Sequence, residues 1–347
     1  MKKINVAILG ATGSVGQKFL ELLSDHPLFE VKELAASERS AGKKYKNATN
    51  WVMQKILREE YGELTVKDCI PNLDSKIVFS ALDASVAGEI EEEFAKAGYT
   101  VISNSRNHRY DPNVPLIIPE VNPDHLEMIK FQNYGGGSII TNPNCSTIGM
   151  VLALKPLQEH FGIESVNVVT LQAISGAGYP GLSGLDILDN ALPFIGGEEP
   201  KMEKEPLKIF GSINTKGEID PADIKISAQC NRVNVNDGHL ECVQVKLKKK
   251  TSIEEIINSW NNFISEPQKL NLPSAPKQPI HYFHEEKFPQ PKLHRNLENG
   301  MAVSVGRLRE CSLFDYKFVV LSHNTVRGAA GGTILIAELL NAKGFIE

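Results

Sequence analysis

Asn142-Pro143-Asn144-Cys145-Ser146-Thr147 places one cysteine where a nucleophile is easiest to make. Ser138–Thr141, following Gly135, Gly136 and Gly137, reads as a short strand, and the apolar run from Ile148 reads as the start of a helix. Cys145 then sits at a strand-to-helix turn near the positive end of the helix dipole. That position is expected to lower the thiol pKa from its free value of about 8.5. Backbone N–H groups at such a helix start can also hold an oxyanion formed during attack on a carbonyl. A buried structural cysteine is the plain alternative, but core cysteines rarely come wrapped in turn and capping residues.

Two further residue types complete a chemical set. His239 lies seven residues after Arg232, and between them runs Asn-Val-Asn-Asp237-Gly238. The strands Ile224–Val233 and His239–Leu247 flank this segment, and Asp-Gly predicts a two-residue hairpin. Asn236 would then pair with His239, and Arg232 would fall on the same face roughly 13 Å along. A three-residue loop would flip one strand and break that geometry. An imidazole exchanges protons near neutral pH, and an arginine clamps a carboxylate with two parallel hydrogen bonds. Glu205 and Lys208, three apart in a charged helical stretch, share a face; they can read an amine and a phosphate or form an exposed ion pair. Arg106 and Arg109 follow a strand end, and either can bind an anion.

The elements that must position these groups divide in two. Ile4–Leu9 is a buried-type strand running into Gly10-Ala-Thr12-Gly13-Ser14-Val15-Gly16 and then a helix carrying Phe19, Leu20, Leu22 and Leu23. Strand, glycine turn and helix form the dinucleotide-binding arrangement, in which the backbone approaches a pyrophosphate at the helix N-terminus. The second strand, Glu30–Ala36, ends in Ser37-Glu38-Arg39-Ser40 and not in the acid that grips the ribose of NAD. Two hydroxyls and an arginine suit a 2′-phosphate, hence NADP; Glu38 is discordant, and either faces solvent or marks tolerance of NAD. Strands at Lys76–Ser80, Tyr99–Ser103 and Pro115–Ile118, with a helix at 89–97, imply a doubly wound parallel sheet. The loops Ser80-Ala81-Leu82 and Asn104-Ser105 follow strand ends, where such sheets bind ligands. Glu91-Glu92-Glu93 reads as a solvated helix face.

Beyond Cys145 the pattern changes to long strands. Ser165–Ile174 ends in the small-residue loop Ser175-Gly176-Ala-Gly178-Tyr-Pro-Gly181. Phe318–Ser322 leads through His323-Asn324 and several glycines into an apolar C-terminal helix. Its Ile334, Leu335, Leu339 and Leu340 need a partner surface, for which the first domain is the natural candidate. The expected division is therefore 1–141 with 324–347, and 142–323. His281, His284, Glu285 and His294 lie in a proline-rich segment read as an extended surface arm, and no metal site is expected there.

Bulk properties bound the answer. With 347 residues, 41% hydrophobic, 23% charged and a net charge of −5, the chain can fill two cores, and nucleic acid or an anionic membrane is a poor partner. The apolar runs fall short of the roughly 18 residues of a spanning helix, and Met1-Lys-Lys leads into a strand, not a signal peptide. The five cysteines (Cys69, Cys145, Cys230, Cys242, Cys311) lack metal-ligand spacing and read as free thiols of a reducing cytoplasm.

Along essentially its whole length the chain resembles the aspartate-semialdehyde dehydrogenase family, its archaeal and fungal branch in particular. The matching segments are Gly10–Gly16, Ser37–Lys43, Asn142–Thr147, Gln172–Gly178, Arg232-Val through Gly238-His239, and His323–Gly332. The resemblance implies an α/β fold, with a Rossmann-type domain and a second α+β catalytic and dimerisation domain. It implies Cys145 as nucleophile, His239 as acid/base and Gln172 as the residue orienting a thioester. Arg232 would bind the substrate carboxylate, Glu205 its amine, Arg109 and Lys208 phosphate, with Asn144 beside the substrate. NADP would be held by Gly10, Thr12, Gly13, Ser14, Val15, Ser37, Arg39, Ser40, Ser80, Ala81, Leu82, Asn104, Ser175, Gly176 and Asn324. The implied reaction converts L-aspartyl 4-phosphate to L-aspartate 4-semialdehyde in a homodimer or homotetramer. Malonyl-CoA reductase, on the same scaffold, is the nearest alternative; its substrate has no amine for Glu205 to meet. A non-enzymatic redox sensor would need neither Arg232 nor His239.

Overall fold

The computed structural model describes residues 2–346. Its first sheet is wholly parallel and built from β1 (Ile4–Leu9), β2 (Phe29–Ala36), β3 (Lys67–Asp68), β4 (Ile77–Ser80), β5 (Thr100–Ser103) and β6 (Ser138–Thr141). The spatial order is β3-β2-β1-β4-β5-β6, which reverses between β1 and β4, where doubly wound sheets take their ligands. Helix α1 (Ser14–Leu23) buries Phe19, Leu20 and Leu23 against this sheet, and α2 (Ala87–Lys96) follows β4. Pro115–Ile118 is not a strand. Only Leu116 bridges to Thr141, since Pro115 has no N–H to give a ladder.

Helix α3 (Cys145–Phe161) leaves β6 and carries the chain into a second, mixed sheet. That sheet is formed by β7 (Ile163–Gln172), β8 (Ala191–Leu192), β11 (Lys225–Val233), β12 (His239–Leu247), β13 (Ile280–Phe283), β14 (Val303–Glu310) and β15 (Tyr316–Ser322). A separate two-stranded ribbon, β9 (Ser212–Ile213) with β10 (Ile219–Asp220), stands beside it. Helices α4 (Glu198–Ile209) and α5 (Ile253–Asn261) pack with α3 on its covered face, in a core that includes Met150, Met202, Ile256 and Trp260. The proline-rich segment contributes β13, an edge strand parallel to β14.

The order β13-β14-β15-β12-β7-β11-β8 corrects the hairpin expected at Asp237-Gly238. β11 runs parallel to β7 on one side, and β12 runs antiparallel to β7 on the other. A strand therefore lies between the two that were expected to pair. The chain does reverse across 234–238, but through bends at Asn236 and Asp237 with no hydrogen-bonded Asp-Gly turn, and β7 has taken ladder positions on both strands.

The last helix, α6 (Gly331–Ala342), returns to the first sheet. Its Ile334, Leu335, Leu339 and Leu340 share a core with Val6, Ile8, Phe19 and Leu20. Each such side chain contributes about 1.5–3 kcal/mol by leaving water. The chain thus enters α6 through the seam between the sheets, and that seam is where the chemistry lies.

Candidate active site

Asn144 explains the start of α3. Its side-chain oxygen accepts from the N–H groups of Ser146 and Thr147, so the helix begins at Cys145 itself. Cys145 Sγ lies 3.2 Å from His239 Nε2. In β7, Gln172 stands opposite Arg232 of β11, and Leu171 stands opposite Leu240 of β12. His239 thus flanks Gln172 on the other side. Arg232 and His239 come together across the end of β7, and a Cβ on Gly176 would lie 2.8 Å from the Arg232 guanidinium and 3.3 Å from the imidazole. Only glycine lets the 175–178 loop cover both.

The expected lowering of the thiol pKa is not what its surroundings give. Burial pushes the Cys145 thiol up to about 12, Glu198 adds to the rise, and Lys201, Arg232 and Arg109 oppose it. His239 is driven down to about 3, by burial first and by Arg232 and His323 as well, against Glu198. These shifts favour a thiol beside a neutral imidazole at rest, removal from water being the largest cause of each.

Helix α4 carries Glu-x-x-Lys twice, and the fold separates the two copies. Glu205 is fully buried and spent on the scaffold, accepting from Arg109 at 2.8 Å and from the Asn144 N–H at 2.7 Å. Lys208 donates to the carbonyls of Arg109, Asp111 and Val114, and burial lowers it to about 8. Neither is free to meet substrate amine or phosphate as expected. In the first turn of the same helix, Glu198 and Lys201 face the site instead. Glu198 accepts from Asn144 Nδ2 at 2.9 Å and Gln172 Nε2 at 3.1 Å, and Lys201 lines the cleft beside Cys145. Burial raises the Glu198 carboxyl, but Lys201, Asn144 and Gln172 outweigh it and hold it ionised. The spacing that singled out the second pair holds equally for the first.

A cleft of about 1150 Å³ opens above Cys145 between the two sheets. Of the residues assigned to the cofactor, Ser14, Val15, Leu82, Asn104, Ser175, Gly176 and Asn324 line it. Arg106 and Arg109 line it too, Arg109 being buried by its bonds to Glu205 and to the Asn104 carbonyl. Gly10, Thr12 and Gly13 shape the turn beneath. A Cβ on Gly10 would stand 2.6 Å from the Ala81 carbonyl oxygen, and one on Gly16 2.3 Å from the Gly10 oxygen. Ser37 and Arg39 are exposed at the end of β2, and Ser40 is turned inward.

Ser80 departs from expectation. Its hydroxyl points away from the cleft and donates to Glu91, as does Ser103. Glu91 is fully buried, which corrects the solvated face read into the acidic run; Glu93 alone of the three is exposed. Sequence reading also missed the wall formed by Val52, Met53 and Gln54, whose loop meets the loop after β7 through Asn50 Nδ2 donating to the Tyr179 hydroxyl at 2.9 Å. Gly328, pressed against Cys145, was hidden inside a glycine-rich run.

A dinucleotide-type sheet joined to a mixed sheet, with a cysteine–histidine pair and an arginine at the seam, defines a two-domain oxidoreductase that works through an acyl-enzyme. Residues 5–129 match the family described as semialdehyde dehydrogenase, NAD binding domain, and residues 154–327 the one described as semialdehyde dehydrogenase, dimerisation domain. Aspartate-semialdehyde dehydrogenase of Schizosaccharomyces pombe is 53% identical, with 98% of this chain and 99% of that protein aligned. The enzyme of Methanothermobacter thermautotrophicus is 47% identical over 97% of this chain and 99% of its own. A crystal structure of the Candida albicans aspartate semialdehyde dehydrogenase with NADP superposes with a TM-score of 0.92 at 47% identity, covering 99% of this chain and 100% of that one. The chain belongs to the aspartate-semialdehyde dehydrogenase family.

Proposed function

We propose that this chain reduces L-aspartyl 4-phosphate to L-aspartate 4-semialdehyde with NADPH, reversibly, in the synthesis of lysine, threonine and methionine. The observation that carries the reading is Cys145 Sγ at 3.2 Å from His239 Nε2, with Arg232 gathered over the same end of β7. Cys145 attacks the acyl phosphate and expels phosphate, leaving a thioester. Arg232 takes the α-carboxylate, and Glu198, held ionised, takes the amine. Lys201 with Arg109 faces the phosphate, and Gln172 orients the acyl group.

The glycine turn fits a dinucleotide, since Gly10 and Gly16 close up space that any side chain would fill, and Ser14 and Val15 open onto the cleft. NADP bound there supplies or accepts the hydride, and Ser37 and Arg39 stand where a 2′-phosphate is read. Residues 1–141 with 324–347 form the nucleotide domain and 142–323 the catalytic one, a division supported by the packing of α6 on the first sheet. A homodimer or homotetramer is supported by the exposed apolar side chains Leu185, Leu188 and Phe194 of the catalytic domain. The described helices include none long and apolar enough to cross a membrane, and all five cysteines are unpaired, as suits a cytoplasmic enzyme.

The test is NADP+ reduction by L-aspartate semialdehyde, with and without inorganic phosphate, on wild type and Cys145→Ala. Phosphate-dependent turnover in wild type and none in the variant is the expected result. No turnover by folded wild type overturns the reading.

A further inference from the structure

Gln17, early in α1, is polar yet only 2% exposed, and its whole amide is spent on a neighbouring segment of chain. Its Oε1 accepts from the Val52 N–H at 2.8 Å. That bond fixes which end of the amide is which, since a backbone N–H can only donate. Nε2 then faces the carbonyls of Thr12 and Asn50 and the Thr49 hydroxyl, each at 3.0 Å. The Thr49 hydroxyl donates in turn to the same Thr12 carbonyl at 3.2 Å. One side chain thus joins residues 49, 50 and 52 to Thr12 of the glycine turn.

We infer that Gln17 is a positioning residue for the dinucleotide: it holds residues 49–52 on the glycine turn, so that Val52, Met53 and Gln54 wall the cleft beside Ser14 and Val15. This deepens the proposed function and rests on the cofactor named there.

The segment needs such a tie. Residues 49–58 form neither helix nor strand, so their backbone groups must find partners elsewhere. Before the wall, the Tyr45 hydroxyl donates to the Ala11 carbonyl at 2.8 Å, and Trp51 packs edge-on against the Tyr45 ring. After it, Glu21, one turn beyond Gln17 on the same face of α1, accepts from the Lys55 N–H at 3.1 Å. Gln17 makes the middle tie. Through the Asn50 backbone it also sets where this loop meets Tyr179. The acyl end of the cleft is built separately, by Cys145, Arg109 and Lys201, so loosening the wall should act on the dinucleotide first.

The amide is what the place requires. Gln17→Met keeps the length and removes every bond. Gln17→Glu keeps the shape and turns an acceptor oxygen toward the Thr12 and Asn50 carbonyls, which can only accept.

The test uses both variants as full-length protein. Calorimetric titration with NADP+ is expected to show about tenfold weaker binding in each, because buried backbone groups lose their partner. The KM for semialdehyde is expected to stay within about twofold of wild type. Without ligand, hydrogen exchange at the Val52 N–H is expected to quicken about tenfold in Gln17→Met. A folded variant that binds NADP+ as wild type does overturns the inference, as does an unchanged Val52 exchange rate in Gln17→Met. A parallel rise in the NADP+ and semialdehyde constants, the mark of general loosening, also overturns it. If neither variant folds, Met53→Ala on the cleft wall decides: NADP+ binding weakened about threefold supports the inference, and unchanged binding overturns it. Wild type that does not bind NADP+ overturns this inference and the proposed function together. NADP+ binding without semialdehyde oxidation sinks the proposed reaction alone, so the two failures are distinguishable.

Discussion

Cys145 is wedged against Gly328, where a Cβ would stand 2.7 Å from the Cys145 Cβ and 2.9 Å from its Cα. Gly328 lies in the π-helical turn Val326–Ala330, and its neighbour Arg327 is locked into Glu120 by a buried bidentate ion pair, one contact at 2.7 Å. The turn cannot retreat, so the nucleophile's backbone must. Gly328→Ala is therefore expected to fold, at a cost of about 1–3 kcal/mol from overpacking. It should lose about 100-fold in kcat/KM by displacing the sulfur. Semialdehyde oxidation together with a melting curve checks this, and near-wild-type turnover would refute it.

Glu198 and Glu205 should fail in different ways. Glu198→Gln removes a negative charge that raises the Cys145 thiol, so alkylation by iodoacetamide at neutral pH is expected to speed up while the KM for aspartate semialdehyde rises about tenfold. Glu205→Ala instead strands Arg109 in a buried site, at about 3–5 kcal/mol. A larger rise in KM for Glu205→Gln than for Glu198→Gln would return the amine to Glu205.

The two lysines separate along the same line. Lys201→Ala is expected to raise the KM for phosphate, measured in the oxidative direction. Lys208→Met leaves the Arg109 and Val114 carbonyls without a donor, Asp111 keeping the Val114 N–H, and should cost about 1–3 kcal/mol in stability, with a smaller effect on phosphate than Lys201→Ala. Equal effects on phosphate would contradict the assignment.

Local chemistry carried the reading where it succeeded. The glycine turn between β1 and α1 and the cap that Asn144 places on α3 are written within a few residues, so sequence suffices for them. Arg232 and His239 were recognisable by type, but their adjacency is made by β7 lying between their strands, and no turn signal reports a strand inserted from sixty residues away. Glu91 is indistinguishable from Glu92 and Glu93 by composition; only the packing of α2 under Ser80 and Ser103 selects it. The choice between Glu198 with Lys201 and Glu205 with Lys208 has the same origin, for both pairs have one helical spacing and only tertiary packing tells them apart.

Glu241 offers a last, pH-dependent check. It follows His239 by two residues on β12, is fully buried, and neither carboxyl oxygen has a hydrogen-bond partner. Burial first, and then Glu198, pushes its carboxyl well above the ordinary 4.5. Below that value both folded and unfolded chains hold the proton, and nothing is lost. Above it the unfolded chain ionises while the native one does not, so the native state loses about 1.4 kcal/mol per pH unit until its own raised pKa is reached. Glu241→Gln keeps the shape and removes the ionisation. The variant is expected to gain stability over wild type progressively from about pH 5 to about pH 7. His239 and His323, both held neutral by burial, destabilise the fold as pH falls below 6.5, an opposite slope that is common to both proteins and cancels in the difference. Denaturant unfolding at several pH values reads this directly, and parallel curves for the two proteins would show that Glu241 ionises in the fold as it does in water.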